Sequence, residues 1–75
     1  DARTNRGDTL RIVREAMGKL PNRYREVLEL AYVAELTHSD ISRVLRLREG
    51  AVRILKLRAL RKLASYLPPE MRGEV

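Results

Sequence analysis

Twenty consecutive residues, 43–62, hold eight positively charged side chains, Arg43, Arg46, Arg48, Arg53, Lys56, Arg58, Arg61 and Lys62, against a single carboxylate, Glu49. Residues 1–42 carry seven bases and seven acids, so the net charge of +6 is concentrated in that one stretch. The chemistry open to such a stripe is electrostatic: ammonium and guanidinium groups attract phosphate, and an arginine fork bonds two acceptors on one base edge. A merely solvated helix face or an anionic membrane surface would use the same residues. His38-Ser39-Asp40 has the residue types of a catalytic triad, but consecutive helical residues project about 100° apart and cannot align for proton transfer. One histidine and no cysteine make no zinc set, and no glycine-rich loop is present to cradle a nucleotide, so no cofactor is expected. A chain of 75 residues buries only about 60% of the surface its unfolded form exposes, which leaves little interior for a substrate pocket and excludes most enzymes.

The elements that must hold these residues are all helical. Residues 1–7 lack apolar periodicity and read as the end of a linker; without an initiator methionine the chain reads as a piece of a longer protein. Asp8 is the expected N-cap of a first helix over about 9–20, with Leu10, Val13, Met17 and Leu20 on one face. Pro21 ends that helix and opens a second, 22–33, with Tyr24, Val27, Leu28 and Ala31 inward and Tyr32 also at core spacing. Glu35-Leu36-Thr37 connects to a third helix, 38–45, which Thr37 and Asp40 begin as a capping box. After a turn at residues 46–48, the fourth helix runs over 49–67 with Val52, Leu55, Ala59 and Leu63 inward, until Pro68-Pro69 stops it; 68–75 form a tail and Tyr66 a packing lid. No segment reads as a strand, a signal peptide or a membrane span, which would need about 20 apolar residues. The fold class is therefore all-α, a small four-helix domain.

A two-turn helix, a tight turn and a long basic helix outline a helix-turn-helix, whose second helix enters the major groove. That arrangement requires Ile41, Leu45, Leu47, Val52 and Leu55 to point inward, and all five are aliphatic. The segments Leu20-Pro21, Tyr24-Arg25-Glu26-Val27-Leu28-Glu29-Leu30, Thr37-His38-Ser39-Asp40-Ile41, Gly50-Ala51-Val52-Arg53 and Arg58-Ala59-Leu60-Arg61-Lys62-Leu63 resemble domain 4 of bacterial sigma-70 family sigma factors. The resemblance spans about Thr9–Leu67 and is greatest to the extracytoplasmic-function group. It implies recognition of the −35 element of double-stranded promoter DNA, docking on the flap of RNA polymerase core, masking by an anti-sigma factor in many members, and a bacterial cytoplasmic location. The chain departs from the family pattern in Arg46, where glycine is common in the turn, in Ser42 for alanine, and in Arg48 for a serine or threonine cap.

With that motif, Arg48, Glu49 and Gly50 fall at the start of the recognition helix, where backbone amides would meet DNA. Arg53, Ile54, Leu57, Arg58 and Arg61 lie off the core face; Arg53 suits a guanine edge, while Arg43, Arg58 and Arg61 suit phosphates. Arg46 in the turn and the hydroxyl of Ser39 are further candidates. The outward pair Ile54 and Leu57 fits thymine methyls or an apolar protein equally well, so a protein-docking domain is the rival reading. A response-regulator output domain shares the motif but not the Leu20-Pro21 junction followed by Arg25-Glu26-Val27. A membrane-surface helix is disfavoured because Val52, Leu55, Ala59 and Leu63 are needed for the core.

Overall fold

The computed structural model describes residues 6–72. Four α-helices follow one another: α1 (Arg6–Lys19), α2 (Asn22–Leu28), α3 (His38–Leu45) and α4 (Glu49–Ser65), with a π-helical turn over Glu29–Val33 and a 3₁₀ turn over Pro69–Met71. The chain is a small all-α domain, and no strand occurs among the described residues. No helix among them is long and apolar enough to cross a membrane.

Helix α1 begins earlier than its composition suggests. Asp8 lies inside the first turn rather than at the N-cap, where its carboxylate opposes the positive end of the helix dipole. Of the expected linker end, Arg6 and Gly7 are helical, and residues 1–5 lie outside the described residues. The inward face is also rotated: Ala16 and Leu20 are buried, Val13 and Met17 half-buried, and Leu10 is 54% exposed. Pro21 then takes φ −54° and ψ 146° as the N-cap of α2, and its carbonyl accepts from the Arg25 amide at 3.0 Å.

The second helix does not stay α-helical to residue 33. Over its last turn the hydrogen bonds lengthen to i→i−5, with the Ala34 amide donating to the Glu29 carbonyl at 3.0 Å. This wider turn keeps Leu30 and Ala31 against the core but leaves Tyr32 at 55% and Val33 at 78% exposure. Tyr32 is therefore not a core residue. Glu35 closes the segment in the left-handed region at φ 56°.

Helix α3 is fixed at both ends by its own sequence. Thr37 Oγ1 accepts from the Asp40 amide at 3.1 Å, and Asp40 Oδ2 accepts from the Thr37 amide at 3.4 Å, a complete capping box. At the other end Arg46 adopts φ 58° and ψ 46°, and the Arg46 and Leu47 amides both donate to the Ser42 carbonyl. That is the left-handed stop usually assigned to glycine. The Ser42 hydroxyl donates to the Ser39 carbonyl at 2.7 Å, so serine at this half-buried position leaves no polar group unpaired.

Helix α4 is the spine on which α2 and α3 pack. Val27, Ile41, Val52 and Ala59 are completely buried, Leu20, Leu28 and Leu45 nearly so, and Leu47, Leu55, Leu63 and Tyr66 pack around them. Each fully buried valine or isoleucine contributes about 1.5–3 kcal/mol. The helix ends at Ser65, two residues short of the expected Leu67. Tyr66 and Leu67 instead donate to the Leu63 and Ala64 carbonyls, both at 3.0 Å, in a tightened last turn before the prolines.

Candidate nucleic-acid interface

With Val52, Ala59 and Leu63 turned to the core, the 100° step of α4 distributes its remaining side chains over a crest and two flanks. Ile54 and Arg61 lie on the crest, Arg53 and Leu57 toward one flank, and Arg58 and Lys62 toward the other. All six are exposed, Ile54 at 53% and Leu57 at 48%. No arginine of α4 has an ion-pair partner among the described residues.

The first flank faces the start of α3. His38 lines an open cleft of about 290 Å³ with Arg53, Lys56, Leu57 and Leu60. The second faces α2, where Tyr24 lines a cleft of about 340 Å³ with Arg58, Arg61 and Lys62. On the outer face of α3, Arg43 Nη2 donates to Ser39 Oγ at 3.3 Å, and Arg43 Nη1 lies 4.0 Å from Asp40 Oδ1. Ser39 and Arg43 thus form one local cluster, apart from the crest of α4.

At the entrance to α4, Arg48 is the N-cap with φ −72° and ψ 152°, and no side chain caps the helix. The amides of Glu49, Gly50 and Ala51, which have no intrahelical acceptor, are thereby open to an external one. A Cβ added at Gly50 would meet nothing within 4 Å, so a small side chain at this position would touch no other part of the described fold. Arg46, exposed in the preceding turn, completes the set of residues that the sequence singles out.

Three features of this surface escape a reading of residue types alone. His38, a half-buried residue in the structure, has a buried Nε2 without a hydrogen-bond partner among the described residues. Lys56, counted in the basic stripe, is half-buried and lies against an exposed ring, with its Nζ 5.1 Å from the centroid of Tyr32. Its place four residues after Val52, on the core side, was a signal available in the sequence. The third is the contribution of α2 through Tyr24, whose core spacing concealed a second, solvent-facing role.

A model of the family described as Sigma-70, region 4 matches residues 10–63. The chain belongs to the sigma-70 region 4 family. Region 4 is a DNA-binding helix-turn-helix module of sigma factors, associated with RNA polymerase in transcription initiation. The match takes in the turn and the recognition helix through Leu63, and with it every exposed residue named above. Searches of curated proteins and of solved structures returned no match to the chain. Membership displaces the response-regulator reading.

Proposed function

We propose that this region 4 domain is of the extracytoplasmic-function type and reads the −35 element of double-stranded promoter DNA, with α4 in the major groove, while docked on the flap of RNA polymerase core. The observation that carries this reading is the exposed row Arg53, Ile54 and Leu57, set beside an uncapped helix start at Arg48, Glu49 and Gly50. In this arrangement Arg53 bonds guanine O6 and N7, Ile54 and Leu57 contact thymine methyls, and Arg58 and Arg61 hold phosphates. Ser39, Arg43 and Arg46 add backbone contacts from the first helix and the turn.

A second surface supports docking on a protein. Val13, Met17, Leu28, Tyr32, Val33, Leu60 and Leu63 line a groove of about 290 Å³ between α1, the π-helical turn and α4. Its apolar lining suits an amphipathic segment of the polymerase flap or of an anti-sigma factor. This groove includes neither crest residue, Ile54 or Arg61, and adjoins the cleft of Arg53 and Leu57 through Leu60.

The test is competition binding of Arg53→Ala and Leu57→Ala against a randomised duplex library, beside a pull-down with polymerase core. Arg53→Ala is expected to lose about 1–3 kcal/mol for the preferred site and little for unrelated DNA. Leu57→Ala is expected to relax preference at one base pair. If neither variant changes base preference and core binding falls instead, the domain is a docking module and the promoter-reading assignment is wrong.

A further inference from the structure

Ser65 is the last residue of α4 and is exposed. Its hydroxyl donates to the Lys62 carbonyl at 2.6 Å, so the side chain leans back over the preceding turn. That turn and the one before it carry Lys62, Arg61 and Arg58, which stand three, four and seven residues before the serine and so share its side of the helix. These three cations and Ser65 line, with Tyr24, one open cleft of about 340 Å³ that contains no carboxylate. None of the three has an ion-pair partner among the described residues. A further ammonium comes from α1: Lys19 lies 5.9 Å from the ring centroid of Tyr66, the residue after Ser65, and Lys62 lies 5.6 Å from the same ring. The hydroxyls of α3 are engaged differently. Thr37 caps the helix, Ser42 is half-buried, and Ser39 shares Arg43 with the Asp40 carboxylate.

We propose that Ser65 is a phosphorylation site and that Arg58, Arg61 and Lys62 form the seat of the phosphoserine, which withdraws them from DNA. The effect on DNA rests on the promoter-reading proposal, in which Arg58 and Arg61 hold phosphates. The donor is a nucleoside triphosphate, used by a protein kinase whose acidic substrate groove accepts the cationic stripe ahead of the serine. Ser65 Oγ attacks the γ-phosphorus and the new Oγ–P bond replaces the bond from that phosphorus to the bridging oxygen. The nucleoside diphosphate leaves with the electron pair, the hydroxyl proton passes to the kinase's base, and nothing is oxidised or reduced. The product carries a charge of about −1.5 to −2 and three acceptor oxygens. At the C-terminal end of a helix such a charge is opposed by the dipole. The cations offset this, because side chains three and four residues apart stand about 5–6 Å from one another at Cβ, within reach of charge-assisted bonds from Lys62 and Arg61. For Lys62 such a bond is stronger than its present contact with the Tyr66 ring. The cleft then falls from three positive charges to about one, and the attraction for a DNA strand falls with it.

The experiment has two arms. In the first, the chain and S65A are incubated with radiolabelled ATP and the catalytic domain of a serine kinase that selects basic substrates. Label is expected in the chain and not in S65A; equal labelling of both, or of neither, overturns the site. In the second, phosphoserine is placed at position 65 during translation, and the product is compared with the unmodified chain, with S65A and with the same phosphoserine in R61Q/K62Q. A phosphorus NMR titration is expected to place the phosphate midpoint below the value of about 6 for the free group, and to return it toward that value in R61Q/K62Q. In a salt titration on duplex DNA by fluorescence anisotropy, phosphoserine is expected to lower the magnitude of the log–log slope by about 2, at about 0.9 per phosphate contact. S65A is expected to keep the slope of the unmodified chain, and library-selected base preference is expected to survive the phosphoserine. A midpoint that R61Q/K62Q does not move, or an unaltered slope, overturns the seat. A phosphoserine chain that melts well below the unmodified one overturns it too, since the group then breaks the helix end. Absence of salt dependence in the unmodified chain defeats promoter reading, while the phosphorus titration still decides the seat by itself.

Discussion

At the scale of single residues, Arg46 carries an unusual burden, because it stops α3 in a left-handed conformation that L-amino acids with a Cβ reach only at a cost of roughly 1–2 kcal/mol. Arg46→Gly removes that strain, while glycine's greater freedom in the unfolded chain takes back about 0.4–1 kcal/mol. The expected net is a gain of about 0.5 kcal/mol, seen as a raised denaturation midpoint in urea with an unchanged slope. A lowered midpoint would mean that the arginine side chain secures the turn in some other way. Measured on the same variant, DNA affinity falls only if Arg46 reaches a phosphate. The two readouts therefore separate the backbone role of this position from its charge.

The residues also show where sequence reasoning succeeds and where it stops. Ile41, Leu45, Val52 and Ala59 are legible as core because they repeat at helical spacing on the faces that the two helices of the motif must turn inward. The exposure of Arg53, Ile54 and Leu57 follows from the same arithmetic, since fixing one face of a helix fixes the others. Ala16 was missed because a single methyl group gives a weak hydrophobic signal, and Leu10 misled because a leucine at the right spacing still lies beyond the reach of the packed elements. Tyr32 failed for a different reason. A π-helical turn changes the angular step over five residues, and no residue type announces it, so a 100° count drifts off the core face by the end of the segment. The walls of the clefts depend on which helices are neighbours, and this is a tertiary fact that spacing within one helix does not contain.

At the scale of elements, α3 is only 8 residues long, too short to be stable without its ends and its packing. The capping box at Thr37 and Asp40 satisfies amides that would otherwise be open, and it does so just beside His38, which faces Arg53. Thr37→Ala is expected to cost about 1 kcal/mol, which for a domain of this size lowers Tm by about 4–8 °C. Thr37→Ser, which retains the hydroxyl, should recover most of that loss in a thermal melt followed by circular dichroism. If alanine and serine behave alike, the cap contributes nothing and α3 is held by burial of Ile41 and Leu45 alone.

At the scale of the whole molecule, charge is segregated: the first 42 residues are neutral and the recognition element carries the excess. A region 4 domain separated from polymerase has no tether to raise its local concentration on DNA, and its own phosphate contacts must supply the affinity. Non-specific binding is expected at about 10⁻⁴–10⁻⁶ M, and for about five neutralised phosphates the log–log salt slope lies between about −4 and −5. Fluorescence anisotropy over a range of salt concentrations measures both. A slope near zero would remove the electrostatic basis for assigning this surface to nucleic acid.

The anchoring of α1 has its own consequence. The ammonium groups of Lys19 and Lys62 lie 5.9 and 5.6 Å from the ring centroid of Tyr66, so the last residue of α1 meets the end of α4. Ala16 and Leu20 reinforce that end by burial, while Leu10 near the other end projects into solvent. A helix fastened at one end opens from the other by sub-global fluctuation, without loss of the remaining fold. Amide protons in the first two turns of α1 should therefore exchange with deuterium well before those around Ile41 and Val52. Because Val13 and Met17 form one wall of the apolar groove, each such opening exposes and then rebuilds that wall, making the groove a surface whose availability is set by the breathing of a single helix.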